Sequence, residues 1–191
     1  PQAFDTDLHM AFSGGGISRI ILADDLKQER SKSLSASVNY DRASEEYVYG
    51  FTFEGFYTHL KDAFYQDPSG SDSYGDIFVK RNGAGARVKG LTMEFRANFM
   101  QKVQLESGLT LQQSLYDEAV EYSDNLPLKK EFLRSPDYYG YATISYNPSP
   151  KLSFAANLVH TGAMSLIHLE GAPGQLEDEF LESPVFNASG I

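Results

Sequence analysis

The side chains best equipped for chemistry in this sequence are a few imidazoles and thioethers and a larger set of phenols. His160, Met164 and His168 follow one another closely, and His9 and Met10 stand side by side near the start. Imidazole nitrogen and thioether sulfur both suit a metal, a haem or a metal chelate. Their spacing fits no compact protein-only metal site, however, and "MSLIHL" reads equally well as a strand entering a loop. Ligand contact is therefore the lesser reading of these residues, ordinary loop or packing roles the greater, and no resident metal or cofactor is expected.

Tyr65, Tyr74, Tyr116 and Tyr122 sit among acidic residues in loop-like stretches. Such rings stack on a sugar or another ring-bearing ligand while offering a hydroxyl, although pinning the loop is the competing role. Asp67, Asp72 and Asp76 supply the oxygens a hard cation such as calcium favours, but their spacing is not that of an EF-hand, so a solvated loop accounts for them better. The triplet Gly14, Gly15 and Gly16 lacks the Lys-Ser or Lys-Thr pair and the helix of a phosphate-binding loop, and reads as a hairpin turn between two pairing runs. Four His among many Ser make chance Ser-His-acid combinations easy to find, and no nucleophile elbow is present. With no cysteine, thiol catalysis is excluded and enzyme activity is not expected.

The elements that would position these groups read with period two. In "SLSASVNY" (33–40), Leu34, Ala36, Val38 and Tyr40 oppose Ser33, Ser35, Ser37 and Asn39. In "YVYGFTFEGFYTHL" (47–60), Tyr47, Tyr49, Phe51, Phe53, Gly55 and Tyr57 oppose Gly50, Thr52, Glu54 and Thr58. Leu91, Met93, Phe95, Ala97 and Phe99 oppose Thr92, Glu94, Arg96 and Asn98, and after "MQK" Val103, Leu105, Leu109 and Leu111 oppose Gln104, Glu106, Thr110 and Gln112. Two softer segments follow, "YGYATISY" and "LSFAANLVHT".

Short links at 41–46, 100–102 and 147–151 alternate with long polar ones at about 61–86, 116–137 and 162 onward. In the short link "NPSPK", Asn147, Pro148 and Pro150 are turn formers that cannot sit in a central strand. Helical signal is confined to weak stretches, "SLYDEAVEY" and "EDEFLES", which read as loop decoration.

Composition narrows the partners. A formal charge of -10 without a basic run argues against nucleic acid. No apolar run is long enough for a transmembrane helix, but transmembrane strands alternate and escape that test. Strands in soluble domains run about five or six residues, whereas these alternate for longer, as a tilted bilayer crossing of about nine to eleven residues requires.

Two architectures explain the alternation: a soluble β-sandwich serving as a binding or adhesion module, and a transmembrane barrel. Tyrosines near strand ends, tight turns at one end with long loops at the other, and ionic Glu54, Glu94, Arg96 and Glu106 on the face expected to line a water-filled or plugged lumen favour the barrel. The six patterned strands cannot close a membrane barrel, which in single chains begins at eight, and lipid does not tolerate an open edge, so the chain, with about six to eight long strands, reads as part of a larger barrel. A start at Pro1 without a signal peptide and the ending "FNASGI" agree with that.

Particular runs carry more than pattern. "PQAFDTDLH", "ADDLKQERSKSLSASVNYD", "FTFEGFYTHLKDAF", "NGAGARVKGLTMEFRANF" and "FLRSPDYYGYATISYNP", in that order over about 1–165, resemble the C-terminal part of the barrel of TonB-dependent outer-membrane receptors, especially those of Bacteroidota. Gly90 and Glu94 match recurring family positions.

The resemblance implies an all-β, antiparallel up-and-down meander, one part of a plugged barrel of about 22 strands. It also implies a Gram-negative outer membrane, and uptake of an iron-siderophore, haem, cobalamin or glycan. Outer-membrane lipid and the TonB complex, reached through a plug, would be partners. No stretch resembles the plug, the TonB box or an aromatic-ended final strand. The layout expected is an extracellular loop or hairpin at 1–31, strands with periplasmic turns and extracellular loops at 32–161, and an extracellular loop or tail at 162–191.

Overall fold

The computed structural model describes residues 12–13, 16–17, 19–73, 75–123, 125–168 and 177–190. His9, Met10, Gly14, Gly15 and Tyr74 lie outside the described residues, as do the side chains of Asp67, Asp72 and Asp76. Every regular element among the described residues is a β-strand. In chain order these are β1 (Phe12–Ser13), β2 (Gly16–Ile17), β3 (Arg19–Leu22), β4 (Arg30–Ala43), β5 (Tyr47–Lys61), β6 (Phe64–Asp72), β7 (Gly75–Asn82), β8 (Ala86–Phe99), β9 (Val103–Val120), β10 (Lys129–Glu131), β11 (Tyr138–Ser149), β12 (Leu152–Thr161), β13 (Ser165–His168), β14 (Glu179–Glu182) and β15 (Phe186–Gly190). The chain divides into two units, Pro1–Lys32 with His59–Ala86, and Ser33–Thr58 with Arg87–Ile191.

In the first unit β6 and β7 form an antiparallel hairpin and β3 adds to β7 in parallel. The Asn82 side chain ties its base together: Oδ1 accepts from the Lys27 amide at 2.5 Å, while Nδ2 donates to the carbonyls of Lys27 and Asp62. Phe12 stands opposite Ile17 and Ser13 opposite Gly16, so the runs flanking the glycine triplet pair as the sequence predicts.

The second unit is built on one sheet in the order β4-β5-β8-β9-β11-β12-β15, each strand beside its successor, with β10 added to β9. This is the expected up-and-down meander, and all six patterned segments fall in its strands. The long strands run from 10 to 18 residues, enough for a tilted bilayer crossing.

The register keeps the two faces distinct. Tyr146, Ile144, Ala142 and Tyr138 stand opposite Val103, Leu105, Ser107 and Leu111, and Ala142 and Ile144 stand opposite Leu158 and Ala156. Even positions of β11 and β12 therefore share the apolar face with odd positions of β9.

That face has no second layer. Among the described residues only Ala86 and Ala97 are buried apolar side chains, and none of the large ones is fully buried. Leu34 is 74% exposed, Leu91 59% and Phe53 55%. A sandwich would cover such residues with a facing sheet.

The turns are as short as expected. At "MQK", Met100 and Gln101 both take positive φ, 51° and 56°, and the Lys102 amide donates to the Phe99 carbonyl at 2.9 Å. Positive φ at both central residues is the mirror-image turn whose twist matches the strands it joins. At the next turn Ser44 and Tyr47 exchange backbone and side-chain hydrogen bonds.

Several boundaries differ from the sequence reading, and the long polar link expected at 61–86 holds the β6–β7 hairpin. Asn147 and Pro148 belong to the end of β11, where the register slips between Tyr146 and Ser149, and such a bulge is a place a strand tolerates proline. "SLYDEAV" is neither helix nor loop but the continuation of β9, paired with β10 at Val120 and Leu115. "EDEFLES" contributes β14, paired with β13, and the segment read as a loop or tail ends in β15, paired with β12. Pairing partners distant in sequence decide these segments, and local propensity does not report them.

Candidate ligand-capture surface

The polar face of the second unit is held by side-chain pairs across strands. Arg96 Nη2 donates to Asp41 Oδ1 at 2.6 Å and Nη1 to Thr52 Oγ1 at 3.2 Å, and Thr52 in turn donates to Asn39 Oδ1 at 2.8 Å. Thr92 and Thr110 meet at 3.1 Å, Ser33 and Thr58 at 3.0 Å. Glu54 and Glu94 share this face by alternation with Thr52 and Arg96, and Glu106 stands opposite Thr143. The residue types explain the arrangement: short hydroxyls pair across adjacent strands, and one long guanidinium spans farther.

At the end of the sheet with the long connections, two loops of the second unit pack together. Ser123 Oγ donates to Asp178 Oδ2, and Asn125 Nδ2 reaches the same oxygen. The Arg134 amide donates to the Ser165 carbonyl at 2.8 Å, and Ser183, which is buried, exchanges hydrogen bonds with the backbone of Met164.

Aromatic rings line this junction. Tyr116 and Phe132 lie 4.3 Å apart between centroids, and Tyr122 meets Phe180 edge-on at 6.0 Å. Lys129 Nζ sits 4.7 Å over the Phe180 ring and donates to Ser165 Oγ at 2.9 Å. Burial pushes the Tyr122 hydroxyl up from the usual phenol range; Tyr116 and Glu131 add to the shift. That hydroxyl makes no hydrogen bond among the described residues, so Tyr116 acts on it by proximity rather than by aligned donation.

The structure thus brings together Tyr116, Tyr122 and the Met164 backbone, and places His168 opposite Glu179 in the adjoining β13–β14 pair. His160 stands elsewhere. It belongs to the apolar face of β12, stacked 5.6 Å from Tyr138, with Nδ1 2.8 Å from Asn187 Oδ1. Tyr65 lies in the first unit, 47% exposed, with its ring against Gly83.

Sequence reasoning missed Lys129, Phe132, Ser165 and Phe180. The signal available was the short alternation in "KKEF", which puts Lys129 and Glu131 on one side and Lys130 and Phe132 on the other. No group of His, Asp and Glu among the described residues is arranged to hold a metal ion. Rings beside the Lys129 amine offer a ligand stacking surface and a charged donor, with Glu131 and Asp178 in the same junction.

A family model described as TonB dependent receptor-like, beta-barrel matches residues 2–171. The fold is similar to that of the FrpB iron transporter from Neisseria meningitidis (F3-3 variant), with a TM-score of 0.56 and 14% identity over 91% of this chain and 25% of that one. The siderophore receptor PirA from Acinetobacter baumannii is more distant, with a TM-score of 0.49 and 13% identity over 83% of this chain and 24% of that one. The chain therefore spans about a quarter of the length of the solved structures it matches. No curated protein sequence matches it.

Proposed function

Because the chain belongs to the TonB dependent receptor-like β-barrel family, we propose that it forms part of the wall of an outer-membrane receptor, of Bacteroidota type, that takes up a scarce ligand without changing it chemically. Residues 1–31 and 162–191 are read as extracellular, and 32–161 as wall strands joined by periplasmic turns and extracellular loops. About 22 strands close the full barrel around a plug, and TonB drives transport through that plug.

One observation supports this reading most: the second unit presents an exposed apolar face with no protein layer against it. In water such a face is a liability, whereas in a bilayer it meets its natural solvent. Glu54, Glu94, Arg96 and Glu106 then face the lumen. The loop junction of Tyr116, Tyr122, Phe132, Lys129 and Phe180 takes part in capture, along with Met164 and His168; Tyr65, Tyr74 and His160 complete the ligand-contact candidates. Rings with one amine suit a ferric siderophore first, ahead of haem, cobalamin or a glycan.

The test is fractionation of the full receptor. Recovery in detergent-extracted outer membrane, with gel migration that changes on heating, is the expected result; recovery in the soluble fraction sinks the reading. For the ligand, uptake of ferric siderophores should fall several-fold in Phe180→Ala while barrel assembly stays normal. Unchanged siderophore uptake alongside impaired glycan uptake would move the assignment to glycans.

A further inference from the structure

The Tyr122 hydroxyl is buried and makes no hydrogen bond among the described residues. A buried hydroxyl left unpaired costs stability, which a hydrogen-bond donor on a ligand would recover.

Strand pairing brings two further oxygens to it. β10 runs back along the end of β9, with Glu131 opposite Leu115 and so beside Tyr116, and with Lys129 opposite Val120, two residues before Tyr122. The Tyr116 phenol and the Glu131 carboxylate both act on the Tyr122 hydroxyl. Phe132, 4.3 Å from the Tyr116 ring, and Phe180, edge-on to Tyr122 at 6.0 Å, give the group aromatic walls.

The neighbouring cations are engaged elsewhere. Lys129 Nζ lies 4.7 Å over Phe180 and donates to Ser165 Oγ, Lys130 Nζ donates to the Asp117 carbonyl at 3.0 Å, and Arg87 pairs with the Asp117 carboxylate at 2.6 Å. Glu131 forms no ion pair among the described residues, and it is exposed, so a solute can reach its carboxylate.

Two phenol oxygens and a carboxylate are all able to accept, and an ammonium group brings three donors and a charge that rings and carboxylates attract. An anion would meet Glu131 as a like charge. The chain's formal charge of -10 adds a longer-range pull on cations.

We propose that Tyr116, Tyr122 and Glu131 form a subsite for a protonated primary amine of the ligand, with Glu131 as the counter-charge and Tyr122 as the inner acceptor. A small swing of the Tyr122 ring, which meets Phe180 edge-on, opens the hydroxyl to that amine. The inference rests on the capture reading above and narrows it: the ferric siderophore taken up carries a cationic tail.

The full receptor in mild detergent is dialysed to equilibrium against three ferric complexes that share one trihydroxamate iron centre and differ in the tail. These are ferrioxamine B, which ends in a primary ammonium, its neutral N-acetyl form and its anionic N-succinyl form. Wild type should bind the ammonium complex at least about tenfold tighter than the acetylated one, as a charge-assisted hydrogen bond implies. High salt should shrink that preference. Glu131→Gln should erase most of it, and Tyr122→Phe, which keeps the ring, should reduce it about threefold.

Equal binding of the three complexes by wild type overturns the inference, as does an undiminished preference in both variants once they are assembled. Tightest binding of the succinylated complex also overturns it, since that assigns the tail to Lys129. If wild type binds none of the three, the ferric siderophore reading fails instead, and pentylammonium then decides the amine subsite by saturation-transfer NMR. Transfer from wild type but not from Glu131→Gln upholds the subsite; equal transfer, or none, overturns it.

Discussion

Arg96 on β8 reaches Asp41 on β4 by passing over Gly50 of the strand between them. The pair closes at 2.6 Å, and a Cβ on Gly50 would lie 3.0 Å from Arg96 Nε, 3.1 Å from Nη2 and closer still to Asp41 Oδ1. The glycine is thus the passage for an ion pair that spans three strands of the wall.

Gly50→Val should displace the guanidinium and cost about 1–3 kcal/mol through overpacking. Arg96→Ala should cost less, about 1 kcal/mol at most, because both side chains are half exposed and solvent screens the pair. The readout is the temperature at which the barrel loses its fast gel migration. Equal effects from the two variants would mean that the crossing imposes no constraint.

Phe95 and Thr92 occupy opposite faces of β8. If Phe95 meets hydrocarbon, Phe95→Arg near the middle of the apolar band should cost about 2–4 kcal/mol of membrane folding stability, and Thr92→Arg far less. Refolding into liposomes at graded denaturant concentrations measures both. Similar tolerance of the two changes counts against a lipid-facing Phe95.

Met100 and Gln101 adopt left-handed backbone that side chains disfavour. Replacing them with Asn and Gly, the pair that suits this turn, should raise stability by about 1 kcal/mol. An unchanged or lowered unfolding midpoint would show that some contact of the native residues outweighs the relief.

The Tyr122 hydroxyl is held above the usual phenol range, chiefly by burial. A group whose folded pKa is raised contributes its stability below the unfolded value, about 10 for tyrosine, and loses it as pH climbs through the folded value. The loop junction should therefore hold at neutral pH and loosen in strong alkali, seen as late tyrosinate absorbance. Tyr122→Phe should remove that late phase and, because the hydroxyl is unpartnered, stabilise the junction by up to about 1 kcal/mol. An undiminished late phase in the variant would assign it to another tyrosine.

The wall was legible in the sequence because a strand with one apolar and one polar face records that difference in every second residue. Leu34 to Tyr40 and Leu91 to Phe99 carry that record without help from any partner. Register was not legible, since Tyr141 opposite Gly108 depends on two separate segments and on a ring filling the space a glycine leaves. The loop junction was half legible: Tyr116 and Tyr122 drew notice as loop aromatics, while Lys129 and Phe180 matter only once folding sets them 4.7 Å apart. His160 shows the limit of reading by residue type, because its place on the apolar face comes from strand parity.

The near absence of buried apolar side chains has a consequence for the chain's life before it is inserted. With only Ala86 and Ala97 enclosed among the described residues, burial within this segment supplies little hydrophobic drive toward its fold. Until a bilayer receives it, the segment would travel with Phe53, Leu91 and their neighbours uncovered, in β-prone runs that self-associate readily. On the barrel reading, an escort that masks those runs and a delivery that outpaces aggregation would carry it safely.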